Sequence, residues 1–156
     1  MLTKDLNEEL VSRGFVFVGN PRGNRLYTFH HWTKGQLSIV VESLNEGLEH
    51  GNVEDIRVIG CTSQPVPRDL RLLLMGNIHQ LTVGYCHLSE KSWSFDIAFT
   101  RFGLRRHEFM NLNRMDAFFD ATGLIMERLP LIPGTVKVWG NGEGLDEEGE
   151  YFEVNV

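Results

Sequence analysis

The 156-residue sequence predicts an α+β domain, an antiparallel sheet with three helices in the order α-β-β-β-(β)-α-β-β-α-β-β. Three observations carry this. Trp93, Phe95, Ile97 and Phe99 alternate with Ser94, Asp96, Ala98 and Thr100, and a period of two marks a strand with one apolar face. Short apolar runs are separated by turn residues at Asn20–Asn24, Thr33–Gly35 and Ser89–Lys91, as in hairpin-connected strands. Three segments with helical spacing stand at the start, the middle and the last third of the chain.

Residues 3–13 read as an amphipathic helix, with Thr3 as N-cap, Leu6, Leu10 and Val11 as its stripe and Gly14 as its stop. Residues 15–18 are a first strand, 25–32 a second and 37–42 a third, in a sheet with one face toward solvent. Residues 43–53 read as a polar loop and 54–62 as a short fourth strand. The central helix follows Pro65-Val66-Pro67, where proline suits a first turn that has no use for its N–H. Its Leu70, Leu74 and Ile78 form one apolar stripe, and Leu72, Leu73 and Met75 fill neighbouring directions. A helix that is apolar most of the way round is covered on more than one side. The expected second cover is another copy of the chain, with Leu70, Leu74, Met75 and Ile78 as the dimer interface.

Residues 81–88 and 93–100 are two further strands, and 101–109 a loop or another strand. Asn113 is placed to cap a third helix with Met115, Phe118, Phe119, Ile125, Met126 and Leu129 on its inner face; Gly123 weakens its middle. Leu129–Gly134 ends it, and a last hairpin pairs 136–139 with 151–154 across an acidic, Gly-rich turn. No repeat or linker divides the chain, so residues 1–156 read as a single domain.

Composition narrows the function. A formal charge of −6 argues against a general nucleic-acid binder and against docking on an anionic membrane. The first ten residues are too charged for a signal peptide, and no apolar run is long enough to span a bilayer. Cys61 and Cys86 are too few for a disulfide scaffold and lie in apolar strands, so both read as buried thiols of a protein in a reducing cytoplasm.

The stretch from Val66 to Leu131 carries a further pattern: Val66-Pro67, a leucine-rich helix ending at Asn77, a strand with Gly84, a turn, an alternating strand, and a long helix from near Asn113. In this it resembles the fold shared by the YbjN family and the type III secretion (Tir-type) chaperones. The likeness in element order extends over roughly residues 3–130; the C-terminal hairpin has no counterpart in it. The resemblance implies a non-enzymatic, homodimeric, cytoplasmic protein that holds an extended client segment, partly by adding a strand to a sheet edge.

Residues 15–42 are the expected site. Phe15, Phe17, Tyr27, Phe29 and Trp32 point both ways from the sheet, so some should form an exposed groove, with Tyr27, Phe29 and Trp32 lining the client's pockets. The alternative arrangement has the first helix covering one face and the C-terminal hairpin the other. A second functional reading is an immunity or anti-defence protein, which would hold one partner by a charged surface. Arg101, Arg105, Arg106 and His107 form the one basic cluster, read as a solvated edge or a contact for an acidic segment.

The enzymatic alternative rests on His31-Trp32-Thr33 and His87-Leu88-Ser89, each of the form His-x-Thr/Ser. Two such motifs on facing strands serve as acid and base in the two-histidine phosphoesterases. Here Lys34 and Glu90 follow, not apolar residues, and both motifs run into turns. His30, His31, Cys86 and His87 read poorly as metal ligands, because adjacent strand residues face opposite ways. No cofactor is implied.

Overall fold

A computed structural model describes residues 3–21, 27–44, 52–77, 81–99, 112–139 and 151–156. Among these lie helices α1 (Thr3–Ser12), α2 (Arg68–Asn77) and α3 (Leu112–Arg128). The strands are β1 (Val16–Gly19), β2 (Tyr27–Lys34), β3 (Leu37–Leu44), β4 (Asn52–Thr62), β5 (Leu81–Ser89), β6 (Ser92–Phe99), β7 (Leu131–Ile132), β8 (Thr135–Trp139) and β9 (Tyr151–Asn155). The fold is α+β, as expected. One sheet runs β1-β2-β3-β4-β6-β5, every pair antiparallel, with β7 added beside β4; β8 and β9 form a separate two-stranded ribbon.

Sequence decides how α1 stops. Gly14 takes φ 89°, its N–H bonds to the Val11 carbonyl at 3.0 Å, and the Phe15 N–H reaches back to the Leu10 carbonyl at 3.0 Å. These are the two closing bonds of a Schellman cap, which a glycine in the left-handed region makes without strain.

Side-chain alternation sorts the sheet into two cores. Trp32, Leu37, Ile39, Val41, Val58, Phe95 and Ile97 join Leu6 and Leu10 of α1, Val66 and Leu70, Phe118 and Ile125 of α3, and Leu129 just after it. On the other face Phe29, Val40, Ile59 and Cys61 meet Val136, Val138, Phe152 and Val154 of the ribbon. The expectation of a sheet with one solvated face is therefore corrected at its centre. Leu37, Ser38, Ile39, Val40 and Val41 of β3 are all at 0% exposure, because helices cover one face and the ribbon the other. Midway along β4, Gly60 makes room for its partner across the ladder: a Cβ there would stand 2.7 Å from Phe95 Cζ.

Several boundaries differ from expectation. β4 begins at Asn52 and is eleven residues long, not short, because it pairs with β3 along one side and β6 along the other. β7 is an added element: Leu131 and Ile132 pair with Thr62 and Cys61. α3 begins at Leu112, so Asn113 lies inside its first turn. Cys61 is buried, but Cys86 is exposed, because the ribbon contacts β4 and β6 and β5 lies beyond them.

Of the residues expected at the dimer interface, only Leu70 has a described side chain. Leu70 is at 0% exposure within the domain's own core, so it is not an interface residue. Leu72 and Leu73 are exposed, at 57% and 39%. The side chains of Leu74 and Met75, and Ile78 altogether, lie outside the described residues, as do Arg101, Arg105, Arg106, His107 and the acidic turn at 146–150.

Candidate functional site

The aromatic groove expected from residues 15–42 is not formed by Phe29 and Trp32. Phe29 is 1% exposed and Trp32 0%. Phe29 packs on Phe152 of the ribbon, ring centroids 4.8 Å apart. Trp32 lies under α1, and its indole N–H donates to Asn7 Oδ1 at 2.8 Å. Alternation along β2 correctly separates the two residues by face, but what covers each face comes from segments distant in sequence. The Tyr27 side chain lies outside the described residues.

Apolar exposure is found instead one strand further out. β1 is the terminal strand of the sheet, and among the described residues it pairs with β2 alone. Val16 is 64% exposed, Phe17 37% and Val18 58%. Phe17 lies on the helix side, its ring 5.3 Å from Trp32 and 6.4 Å from His30; alternation sends Val16 and Val18 to the opposite side. A register shift between Phe17 and Gly19 ends the pairing. No residue from Phe15 to Gly19 is charged, although charge is the common protection of a sheet edge.

The two histidines of β2 are separated by the sheet. His30, at 0% exposure, meets Asn20 Oδ1 through Nδ1 at 2.8 Å, which assigns the proton to Nδ1. Its Nε2 is buried without a hydrogen-bond partner among the described residues. Burial lowers its pKa from 6.5 to about 4, so the ring is neutral at pH 7. His31 is on the ribbon side, its Nε2 2.9 Å from Ser38 Oγ, and burial depresses its pKa also.

His31 and His87 do not converge. Four strand steps separate β2 from β5, about 19 Å at the usual spacing, and the residues face opposite sides. His87 pairs with Trp93 and rests on its ring at 5.2 Å. The acid–base pair of the phosphoesterase reading is not assembled. Among the described residues, no group of three or more His, Cys, Asp or Glu could hold a metal.

A buried charge cluster escaped the sequence reading. Glu42 and Asp55 are direct partners across β3 and β4, at 2% and 1% exposure. Arg57, two residues along from Asp55, forks onto Asp96 of β6, its Nε 3.1 Å from Oδ1 and its Nη2 on Oδ2. Burial acts to lower the Arg57 pKa; the Asp96 charge and hydrogen bond, then Asp55 and Glu42, outweigh it and raise the pKa. The signal was present: Asp55 and Arg57 alternate with Ile56 and Val58. A charged residue in strand alternation ordinarily means solvent, and here the second face is covered. Opposed carboxylates repel across a ladder, and the arginine offsets that, which is a structural role.

No helix among the described residues is long and apolar enough to cross a membrane. The chain matches no family model, no curated protein and no solved structure.

Proposed function

We propose that the chain is a non-enzymatic protein-binding module, chaperone-like in mode, that takes an extended client segment as an added strand on the outer edge of β1. The observation that carries this reading is the exposure of Val16, Phe17 and Val18 on a terminal strand without charge. An added strand would pair with the open backbone edge, while alternate side chains of the client pack beside Phe17 on one face and beside Val16 and Val18 on the other. Backbone pairing asks little of the client's sequence; the apolar positions supply the preference. In this reading the pocket residues are Val16, Phe17 and Val18, with Trp32 behind Phe17. A homodimer through α2, now with Leu72 and Leu73 as its exposed apolar residues, belongs to the same reading.

Selection of displayed decapeptides, followed by hydrogen exchange on the complex, tests the proposal. The expected result is a set of peptides with alternating apolar positions that protect residues 16–19 and lose binding to Val18→Lys. Protection confined to other strands would overturn it.

A further inference from the structure

A cleft of about 560 Å³ opens between Arg13 and Phe15 at the end of α1, Lys34 at the end of β2, and the stretch of α3 from Phe119 to Met126. Phe15, Phe119 and Met126 supply its apolar wall; Arg13 and Lys34 supply positive charge; Asp120, the one acid among its described lining residues, is exposed. We propose that this cleft binds a small organic anion with a flat apolar body, an aryl carboxylate in chemical class.

Three observations support this. The first is Lys34. Its Nζ donates to the Arg13 carbonyl at 2.7 Å and stands 5.7 Å from the Phe15 ring centre. The hydrogen bond caps a terminal carbonyl of α1, where a cation is favoured. An ammonium has three donors, and the cap takes one. No carboxylate is paired with Lys34 among the described residues.

The second is Arg13. Its guanidinium carbon stands over the Phe119 ring, 3.8 Å from the ring centre, and Nη1 is held by Glu9. Nε and Nη2 make no hydrogen bond among the described residues. The guanidinium is thus fixed by a ring and a carboxylate, with donors left on its other edge. A planar ligand ring has the aromatic wall and the Met126 thioether to pack against.

The third is Gly123, in the interior of α3. Glycine there costs about 1 kcal/mol relative to alanine. No packing contact demands it, since a Cβ would meet nothing within 4 Å. What its absent side chain leaves is open space along the cleft. The volume is within the range of small-molecule sites, roughly 300–1,000 Å³.

The test uses the whole chain with 2-naphthoate as probe and 2-naphthalenemethanol as its uncharged counterpart, read by calorimetry and by the Met126 methyl resonance. Naphthoate is expected to bind saturably, shift that methyl, and bind about tenfold more tightly than the alcohol, the effect of one charge-assisted hydrogen bond. Lys34→Gln, which keeps a polar side chain but removes the charge, should lose about the same factor. Gly123→Leu should fill the cleft and abolish binding while its melting temperature is no lower than that of the parent chain. An unshifted Met126 methyl, equal affinities for acid and alcohol, or naphthoate binding unchanged in a folded Gly123→Leu would each overturn the assignment. Because Val18→Lys lies outside the cleft, its failure to affect a peptide would not bear on naphthoate.

Discussion

Phe29 of β2 and Phe152 of β9 pack ring against ring at 4.8 Å, and this contact fastens the C-terminal ribbon to a sheet that the ribbon does not join by backbone pairing. Phe152→Ala should cost about 3 kcal/mol, the scale of a buried phenylalanine truncation, with Phe29 and Val40 becoming exposed. Urea unfolding checks the cost. A loss below about 0.5 kcal/mol, the range of an ordinary surface substitution, would mean that the ribbon is held elsewhere.

Arg57 is expected to be intolerant of neutral replacement. Arg57→Met removes the partner of Asp96 and leaves Glu42 and Asp55 facing each other with their nearby cation gone. Breaking a buried pair from one side costs about 3–5 kcal/mol. The double variant Arg57→Met/Asp96→Leu should recover part of the loss, and a thermodynamic cycle measures how much.

His30 predicts an acid-side loss of stability. Its pKa falls from 6.5 in the unfolded chain to about 4 in the fold. Between those values the unfolded chain binds more protons, so stability rises with pH and falls on acidification from 6.5 toward 4. The full interval corresponds to about 3 kcal/mol. His31 shifts in the same direction. In His30→Gln the pH dependence over this window should flatten while that of His31 persists. Denaturant midpoints at pH 7 and pH 4.5 check it; an equal slope in parent and variant would remove His30 as the cause.

The two sides of α2 should behave differently. Leu70→Ala should destabilise the chain by about 2–5 kcal/mol as a core truncation. Leu72→Glu with Leu73→Glu should leave the fold intact and, if α2 joins two copies, convert a dimer to a monomer in light scattering. A parent chain that is monomeric at micromolar concentration would rule out the dimer.

For the edge of β1, Val18→Lys places a charge on a side chain that is 58% exposed. Stability should change by no more than about 0.5 kcal/mol, so any loss of peptide binding reports on the edge itself. Melting temperature and peptide affinity, measured on the same sample, separate the two effects.

Much of the architecture was legible because its signals are local. Alternation at Trp93–Phe99 gives β6, helical spacing of Leu6 and Leu10 gives α1, and Gly14 stops it, its own N–H bonding three residues back and that of Phe15 five. The length of β4 was not legible: each residue of a strand paired on both sides answers to partners dozens of positions away.

The site followed the same division. By itself the sequence determined that Phe29 and Trp32 point to opposite sides of β2, and that His30 and His31 do too, because the strand period depends on the backbone alone. Only the tertiary structure decided which of these side chains meets water. α1 closes over Trp32 and Phe152 over Phe29, while the outer edge of β1, with Val16, Phe17 and Val18, is left without a second strand among the described residues. Burial is a property of the covering segment as much as of the residue covered, and no spacing within residues 15–42 records that the cover arrives from α1 and from β8 and β9.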